Sequence, residues 1–305
     1  MDLVVGVDAG GTASHAVVAT AAGVVAGRGR AGPGNPLSAG PAAVEALAAA
    51  LRQALSTVDP AAVVGGVLGL AGSSACADPA FTAALETEWR RAGLRCRWRV
   101  VGDAVTAFAA GTSASGGAVL IAGTGAVAAE IQEHQIVRVT DGLGWLLGDE
   151  GSGHWLGVQA LRAAVRAWPS PFATAVAAEA GAGDRDRLIG WAQELHHARI
   201  AALAEVVCAR ARAGDPQATA ITAGAVARLT ATLDGLGPVG GPVVLAGSLL
   251  TRDTPIREGL LAALRARGTS ALPGRDPAAA AAWLATPGRS PDVHAVLTGF
   301  HSRAA

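Results

Sequence analysis

The residues best suited to chemistry stand in Val7-Asp8-Ala9-Gly10-Gly11-Thr12, between the apolar runs 3–7 and 16–18. The pattern reads as strand, tight turn, strand. Glycines at 10 and 11 fall where the backbone must bend and no Cβ can stand. Consecutive main-chain N–H groups in such a turn cradle phosphate. Asp8, at the strand end, is placed to hold a water on Mg²⁺, and the Thr12 hydroxyl to donate to a phosphate oxygen. A plain β-hairpin turn, with Asp8 and Thr12 capping the bend, satisfies the same stretch. Four further loops of small or acidic residues follow apolar strands, at Gly72, Asp103, Gly123 and Gly247. Ligands of open α/β sheets bind beyond the carboxyl ends of strands, so five such loops point to a nucleotide-phosphate cleft.

What the chain lacks narrows the chemistry further. Its 24 basic residues are all arginine. Without lysine there is no Walker A loop, no kinase β3 lysine and no Schiff base. A nucleotide must then be held by glycine-rich backbone and Mg²⁺. Formal net charge is zero, so no field favours nucleic acid or an anionic membrane. No apolar run approaches the roughly 18 residues of a membrane span. The sequence enters its first strand without a basic and apolar leader, which makes the cytoplasm the expected compartment. Cys76, Cys96 and Cys208 are scattered, which fits a reducing compartment and neither a disulfide framework nor a zinc or iron–sulfur site.

The elements that position these loops alternate along the 305 residues. A third strand is expected at 23–31, followed by the rigid loop Gly32-Pro33-Gly34-Asn35-Pro36, where Asn35 serves either a ligand or only the turn. Val44, Leu47, Ala48, Leu51 and Leu55 recur at helical spacing and predict a helix over 41–58. The continuous apolar run 63–70 reads as a strand buried on both faces and ends in Ala71-Gly72-Ser73-Ser74. A helix over 79–91, a strand over 96–101 and a helix from Asp103 to Ala110 complete an alternating pattern. Strands at 117–122, 126–131 and 136–139 then repeat the opening, a weak internal duplication. The Gly/Ser/Ala stretch 112–116 marks the boundary between expected domains 1–112 and 113–305, with the last helix packing on the first domain. The segment 141–157 is too glycine-rich for a helix and too apolar for a solvated loop, the helix proper starting near Ser152. Helices are expected to Leu233, broken at Pro169, 181–183 and 214–216. A strand over 242–246, helices over 255–267 and 276–285, and a final helix complete the chain.

Taken in order, DAGGT, GPGNP, VVGDA, IAGTG, GWLLGDEGSGHWLG and AGSLL resemble the N-acetylglucosamine kinase branch of the BadF/BadG/BcrA/BcrD ATPase family. That family lies within the sugar kinase/Hsp70/actin superfamily, and the resemblance covers nearly the whole chain. It implies an α/β fold of two ribonuclease H-like (actin-like ATPase) domains with a cleft between them. It also implies ATP-dependent phosphorylation of an amino sugar, with N-acetylglucosamine giving N-acetylglucosamine 6-phosphate. The implied cofactors are ATP and Mg²⁺, the partner a small-molecule sugar, and the assembly a homodimer. By resemblance, Gly10, Gly11 and Thr12 form the first phosphate loop, with Asp8 near Mg²⁺. Gly123, Thr124 and Gly125 form the second. Gly247 and Ser248 form the adenosine loop, and Ala201 flanks the nucleotide. Asn35, Gly142 and Asp149 contact the amino sugar, Ser73 is a weaker candidate, and Asp103 is the catalytic base. The chain departs from the family at Ala126, where serine is usual, and at Asp141, where glycine is commoner.

Physical chemistry gives Asp103 the same part. Phosphoryl transfer is mostly positioning and charge stabilisation, and a carboxylate at a helix N-terminus is kept ionised by the dipole. It can orient a sugar hydroxyl and take its proton late. The plain alternative is an N-cap. Asp149 could hydrogen-bond two sugar hydroxyls with its two oxygens, or form with Glu150 an acidic pair at a helix start. Simpler roles are expected elsewhere. His154 packs beside Trp155, His196-His197 is a solvated helix edge, Trp145 and Trp155 belong to the core, and Arg210 and Arg212 to a solvated helix end. Two rival readings remain: a kinase of the same fold for glucosamine or another hexose, and an ATPase activase of an electron-transfer partner. The activases of the family hold an iron–sulfur cluster by cysteines, which three scattered cysteines do not obviously provide.

Overall fold

The computed structural model describes residues 2–194 and 197–299. The strands are β1 (Leu3–Ala9), β2 (Ser14–Thr20), β3 (Val25–Ala31), β4 (Val63–Leu70), β5 (Arg97–Gly102), β6 (Gly117–Ala122), β7 (Ala126–Gln132), β8 (Gln135–Asp141), β9 (Val243–Ala246) and β10 (Ala271–Pro273). The helices of the first half are α1 (Pro36–Ala39), α2 (Ala42–Leu55), α3 (Pro79–Arg91) and α4 (Asp103–Ala109). Those that follow are α5 (Gly153–Arg166), α6 (Pro171–Ala180), α7 (Arg185–Gln193), α8 (His197–Arg212), α9 (Pro216–Asp234), α10 (Ser248–Thr251), α11 (Pro255–Ala266), α12 (Pro277–Ala285) and α13 (Pro291–Thr298). His196 lies outside the described residues. No described helix is long and apolar enough to cross a membrane.

The chain divides into two compact units. The first holds residues 2–117, 131–136 and 274–299 of those described, the second 118–130 and 137–273. Each is built on a five-stranded sheet. The first sheet runs β3-β2-β1-β4-β5, and the second, read from its other edge, runs β8-β7-β6-β9-β10. Order and connection are therefore the same in both: a strand meander, then parallel additions reached through helices. This is the ribonuclease H-like pattern, present twice.

Two faces of the first sheet are covered for different reasons. Leu47, Leu51 and Leu55 of α2, with Leu85 and Trp89 of α3, bury the face carrying Val5, Val7 and Val18. The opposite face of β1 takes α12, whose Ala278–Ala282 run is fully buried. A Cβ on Gly6 would lie 2.0 Å from the Ala282 main-chain nitrogen and 2.2 Å from the Ala278 carbonyl oxygen. Glycine in the strand and alanine in the helix thus let two backbones meet. In the second unit Leu156, Leu203, Leu229 and Leu260 of α5, α8, α9 and α11 pack with Leu120 and Leu245 of the sheet. Replacement of Gly6 by valine should cost about 3 kcal/mol or more, because backbone atoms cannot rotate away as an overpacked side chain can. Thermal denaturation of Gly6→Val against wild type measures this.

Candidate active site

In the first unit β1, β4 and β5 are parallel and end level: Ala9 lies opposite Leu70, and Leu70 opposite Gly102. Register alone therefore gathers the loops that follow. The Ala71 amide donates to the Ala9 carbonyl at 2.9 Å, and the Gly34 amide to the Gly10 carbonyl at 3.0 Å. Asn35 Oδ1 lies 2.6 Å from where a Cβ of Gly72 would stand, and Ser73 Oγ 3.7 Å from the same point on Gly102. Asp8, Gly10, Asn35, Ser73 and Asp103 are thereby brought to one end of one sheet. The turn role of Asn35 is realised, since its Oδ1 caps α1 by accepting from the Leu37 amide at 2.9 Å. Its amide nitrogen is left for other use.

Asp8 and Asp103 are joined through Thr106. The Thr106 hydroxyl, fully buried one turn into α4, lies 3.1 Å from Asp8 Oδ1 and 2.9 Å from the Asp103 carbonyl oxygen. One hydroxyl hydrogen serves both acceptors. Both residues are half-buried. Burial, and then the charge of Asp103, push the Asp8 carboxyl up to about 7. Asp103 is also raised by burial, against the lowering effect of the Ala104 amide and its own. Desolvation thus works against the helix dipole, which favours the Asp103 anion.

Gly10 and Gly11 correct an expectation. Neither has a positive φ. A Cβ on Gly10 would meet only the Ala13 carbonyl oxygen at 3.5 Å, and one on Gly11 would meet nothing within 4 Å. The bend does not demand glycine here, and the space above the loop is open.

The second unit assembles its own group. β6 and β9 are parallel with Ile121 opposite Ala246, so the loops after them emerge together. A Cβ on Gly123 would lie 3.8 Å from the Ser248 amide nitrogen. Gly247 has a φ of 82° and sits so close to Ala122 that a Cβ would fall 2.3 Å from its carbonyl oxygen. The amides of Gly153 and His154 at the start of α5 donate to Gly123 and Thr124 at 2.7 and 3.1 Å. Ala201 of α8 lies against Gly153, its Cβ 3.7 Å from where a Gly153 Cβ would be. Gly123, Thr124, Gly125, Ala201, Gly247 and Ser248 thus converge.

Gly142 and Asp149 join this group through Ala126. Its amide donates to Asp149 Oδ1 at 3.0 Å, and its carbonyl accepts from Gly142 at 3.0 Å. Oδ1 of Asp149 thus already accepts one main-chain amide, while each carboxylate oxygen can accept two hydrogen bonds. Burial raises the Asp149 pKa, with a further push from Asp141. Asp141 is the residue the sequence reading undervalued. Its φ is 64°, and its two oxygens accept the amides of Asp149 and Glu150 at 2.7 and 2.8 Å. Aspartate tolerates this backbone region and, unlike glycine, pins the loop. An acidic residue at a position that usually takes glycine was the available signal.

Other expectations change. His154 packs beside Trp145, ring centres 5.6 Å apart, rather than beside Trp155. His197 is no solvated edge: its ring lies against Trp145, centres 4.2 Å apart and tilted by 34°, and its Nδ1 is buried. Trp145 stands 41% exposed rather than in the core, whereas Trp155 packs against the second core as expected, with Arg228 over its ring at 4.5 Å. Arg210 and Arg212 do stand in the last turn of α8, where they pair with Asp215 and Asp253 at 3.1 and 2.8 Å. Cys76 and Cys96 pack against the first core and Cys208 against the second. Among the described residues no group of three or more His, Cys, Asp or Glu is arranged to hold a metal ion by itself.

Because the folded chain holds the Asp8 proton more tightly than the unfolded chain does, this residue costs stability as pH rises from about 4 through 7. Asp8→Asn should therefore be more stable than wild type at pH 8, by at most about 4 kcal/mol from the size of the displacement. The advantage should vanish toward pH 4. Denaturant titration of both proteins without added metal, at a series of pH values, reads this out.

Comparison with known proteins agrees with this fold. No curated protein sequence matches the chain. Among solved structures, a candidate N-acetylglucosamine kinase from Chromobacterium violaceum is 26% identical, covers 93% of this chain and 99% of its own, and superimposes with a TM-score of 0.75. A candidate N-acetylglucosamine kinase from Porphyromonas gingivalis is 20% identical over the full length of both chains, with a TM-score of 0.71. A ROK family glucokinase from Streptomyces griseus, solved with glucose and AMPPNP, shares the fold at 19% identity and a TM-score of 0.61, over 93% of this chain and 99% of its own. Residues 5–266 match a single family throughout, and the chain belongs to the BadF/BadG/BcrA/BcrD ATPase family.

Proposed function

We propose that the protein is an ATP-dependent sugar kinase that phosphorylates an amino sugar, converting N-acetylglucosamine to N-acetylglucosamine 6-phosphate. The observation that carries this reading is the Asp8–Thr106–Asp103 linkage at the carboxyl ends of parallel strands. It provides two acids with separate tasks at one place. The Chromobacterium violaceum structure, which bears the N-acetylglucosamine kinase name, supports the substrate.

Asp8 suits a cation. Its carboxyl is desolvated, is repelled by Asp103, and has only the Thr106 hydroxyl to offset both. It would hold Mg²⁺ through water, and bound Mg²⁺ neutralises charge on the phosphates. Asp103 accepts the proton of the sugar hydroxyl. Burial raises its basicity toward that of a working base, and the main-chain amides of Ala104 and of Asp103 itself hold the carboxylate. The amide nitrogen of Asn35 and the outer oxygen of Asp149 hold the sugar. Main-chain amides at Gly10–Thr12 and 123–125 receive phosphate oxygens, with Gly247, Ser248 and Ala201 against the adenosine. Open space above Gly11 supports this use, since the protein itself has no need of glycine there.

A coupled assay for ADP release with ATP, Mg²⁺ and a panel of hexoses should show turnover with N-acetylglucosamine. No sugar-dependent release from any of them rejects the reading. Asp103→Asn should lower kcat about 10²- to 10⁴-fold, the usual contribution of a general base, while calorimetry still detects sugar binding. Gly11→Ala should leave the melting temperature unchanged and raise the KM for ATP several-fold more than that for sugar.

A further inference from the structure

The turn after α12 carries an arginine where the backbone favours glycine. In Thr286-Pro287-Gly288-Arg289-Ser290, Gly288 has a φ of 74° and Arg289 one of 45°. An arginine gains nothing locally from that conformation. The turn is held by the indole nitrogen of Trp283, which donates to the Ser290 carbonyl at 3.0 Å. A second arginine comes from the first sheet. Arg97 and Arg99 alternate along β5 with Trp98 and Val100, which pack on the first core, so the arginines lie on the opposite face, that of α12. Arg99 Nη2 donates to the Leu284 carbonyl at 3.4 Å, at the C-terminal end of α12. The third group is His134, from the tip between β7 and β8. Its ring stands edge-on to Trp283 with centres 5.6 Å apart. The residue is 7% exposed, and its Nδ1 has no hydrogen-bond partner. Ile136 fixes the tip against β5, its Cδ1 2.6 Å from where a Cβ of Gly102 would stand. All of these residues belong to the first unit.

Three groups able to carry positive charge thus meet around one helix end. Among the described residues no carboxylate lies within ion-pair distance of Arg99 or Arg289. The acids of α3 are engaged elsewhere, Glu86 by Arg90 and Glu88 by Arg52 and Arg91. Burial, and then the charge of Arg289, lower the Arg99 pKa. Burial, Arg289 and Arg99 lower that of His134, against the opposite pull of Glu133 beside it in the tip. The negative end of the α12 dipole accounts for Arg99, which binds its last carbonyls, and not for a second arginine brought up to the first. A guanidinium fork matches phosphate oxygens two at a time. We infer that Arg99 and Arg289, beside His134, form a binding site for a phosphate-class oxyanion. The site is not the phosphate loop of this unit: Arg99 lies opposite Val67, and Val67 opposite Gly6, three residues back from the level strand ends. A bound anion joins β5, the α12–α13 turn and the tip. The inference does not depend on the sugar-kinase reading.

The test uses the full chain, titrated at fixed ionic strength with inorganic phosphate, glucose 6-phosphate or ADP, while NMR follows the His134 ring, assigned by His134→Gln. Phosphate should raise the His134 pKa by about one unit, the low end of what an opposite charge does at a few ångströms. Whichever of the three acts at the lowest concentration identifies the source of the phosphoryl group. Arg289→Gly, whose backbone suits glycine, should abolish the shift without loss of melting temperature. Arg99→Gln should abolish it too, while Arg99→Lys keeps the charge and retains part of it. Anion binding seen by calorimetry with His134 unmoved overturns the inference, since the anion then sits elsewhere. So does a shift reproduced by chloride at equal ionic strength, a shift that survives both Arg289→Gly and Arg99→Gln, or no binding of any of the three.

Discussion

Parallel pairing of β1 with β4 and β5, and of β6 with β9, is the constraint on which the rest depends. Parallel strands that end level release their loops side by side, whatever the distance between them along the chain. Asp8 and Asp103 are separated by almost a hundred residues, yet a single threonine hydroxyl touches both. The same logic sets Gly123 beside Ser248 in the second unit. A one-residue slip in either register would exchange the buried and exposed faces of a strand and scatter these groups.

The glycines divide into two populations with different physical causes. Gly6 and Gly247 are dictated by the protein itself, because main-chain atoms of α12 or of Ala122 occupy the place a Cβ would take. Among the described residues nothing dictates Gly11. An unforced glycine in a loop at a sheet's carboxyl end supports an approach by some other molecule. Asp141 is the converse case, a side chain kept at a φ that favours glycine because its carboxylate secures two amides.

Much of this was legible in the residues themselves. β4 and α3 have the limits expected of them, because the apolar run 63–70 is continuous and because Asp78-Pro79 is a strong helix start, Asp78 capping Ala80. The repeat of strand order in the two sheets was visible as a repeat of Gly/Thr turns. β10 was missed because it has three residues and ends in proline. α1 was hidden inside a loop that Pro36 and Asn35 mark equally well as a turn. Ring partners were illegible for a different reason. His154 and Trp155 are adjacent in sequence, but neighbours on a helix point about 100° apart, so His154 meets Trp145 and His197 while Trp155 meets Arg228. The desolvation of Asp103 was illegible because a dipole can be read from a helix start, whereas burial by distant segments cannot.

The path of the chain between its two units carries a consequence for dissection. The backbone passes from one unit to the other near 117, returns for the short tip 131–136, leaves again, and comes back for good near 274. That tip is held by the His134 amide on the Ser115 carbonyl and by the His134 ring against Trp283. Neither unit is therefore a contiguous fragment, and no single cleavage of the polypeptide separates them. Truncation at the apparent midpoint linker would strip the first sheet of α12 and leave the bare glycine face of β1 in water.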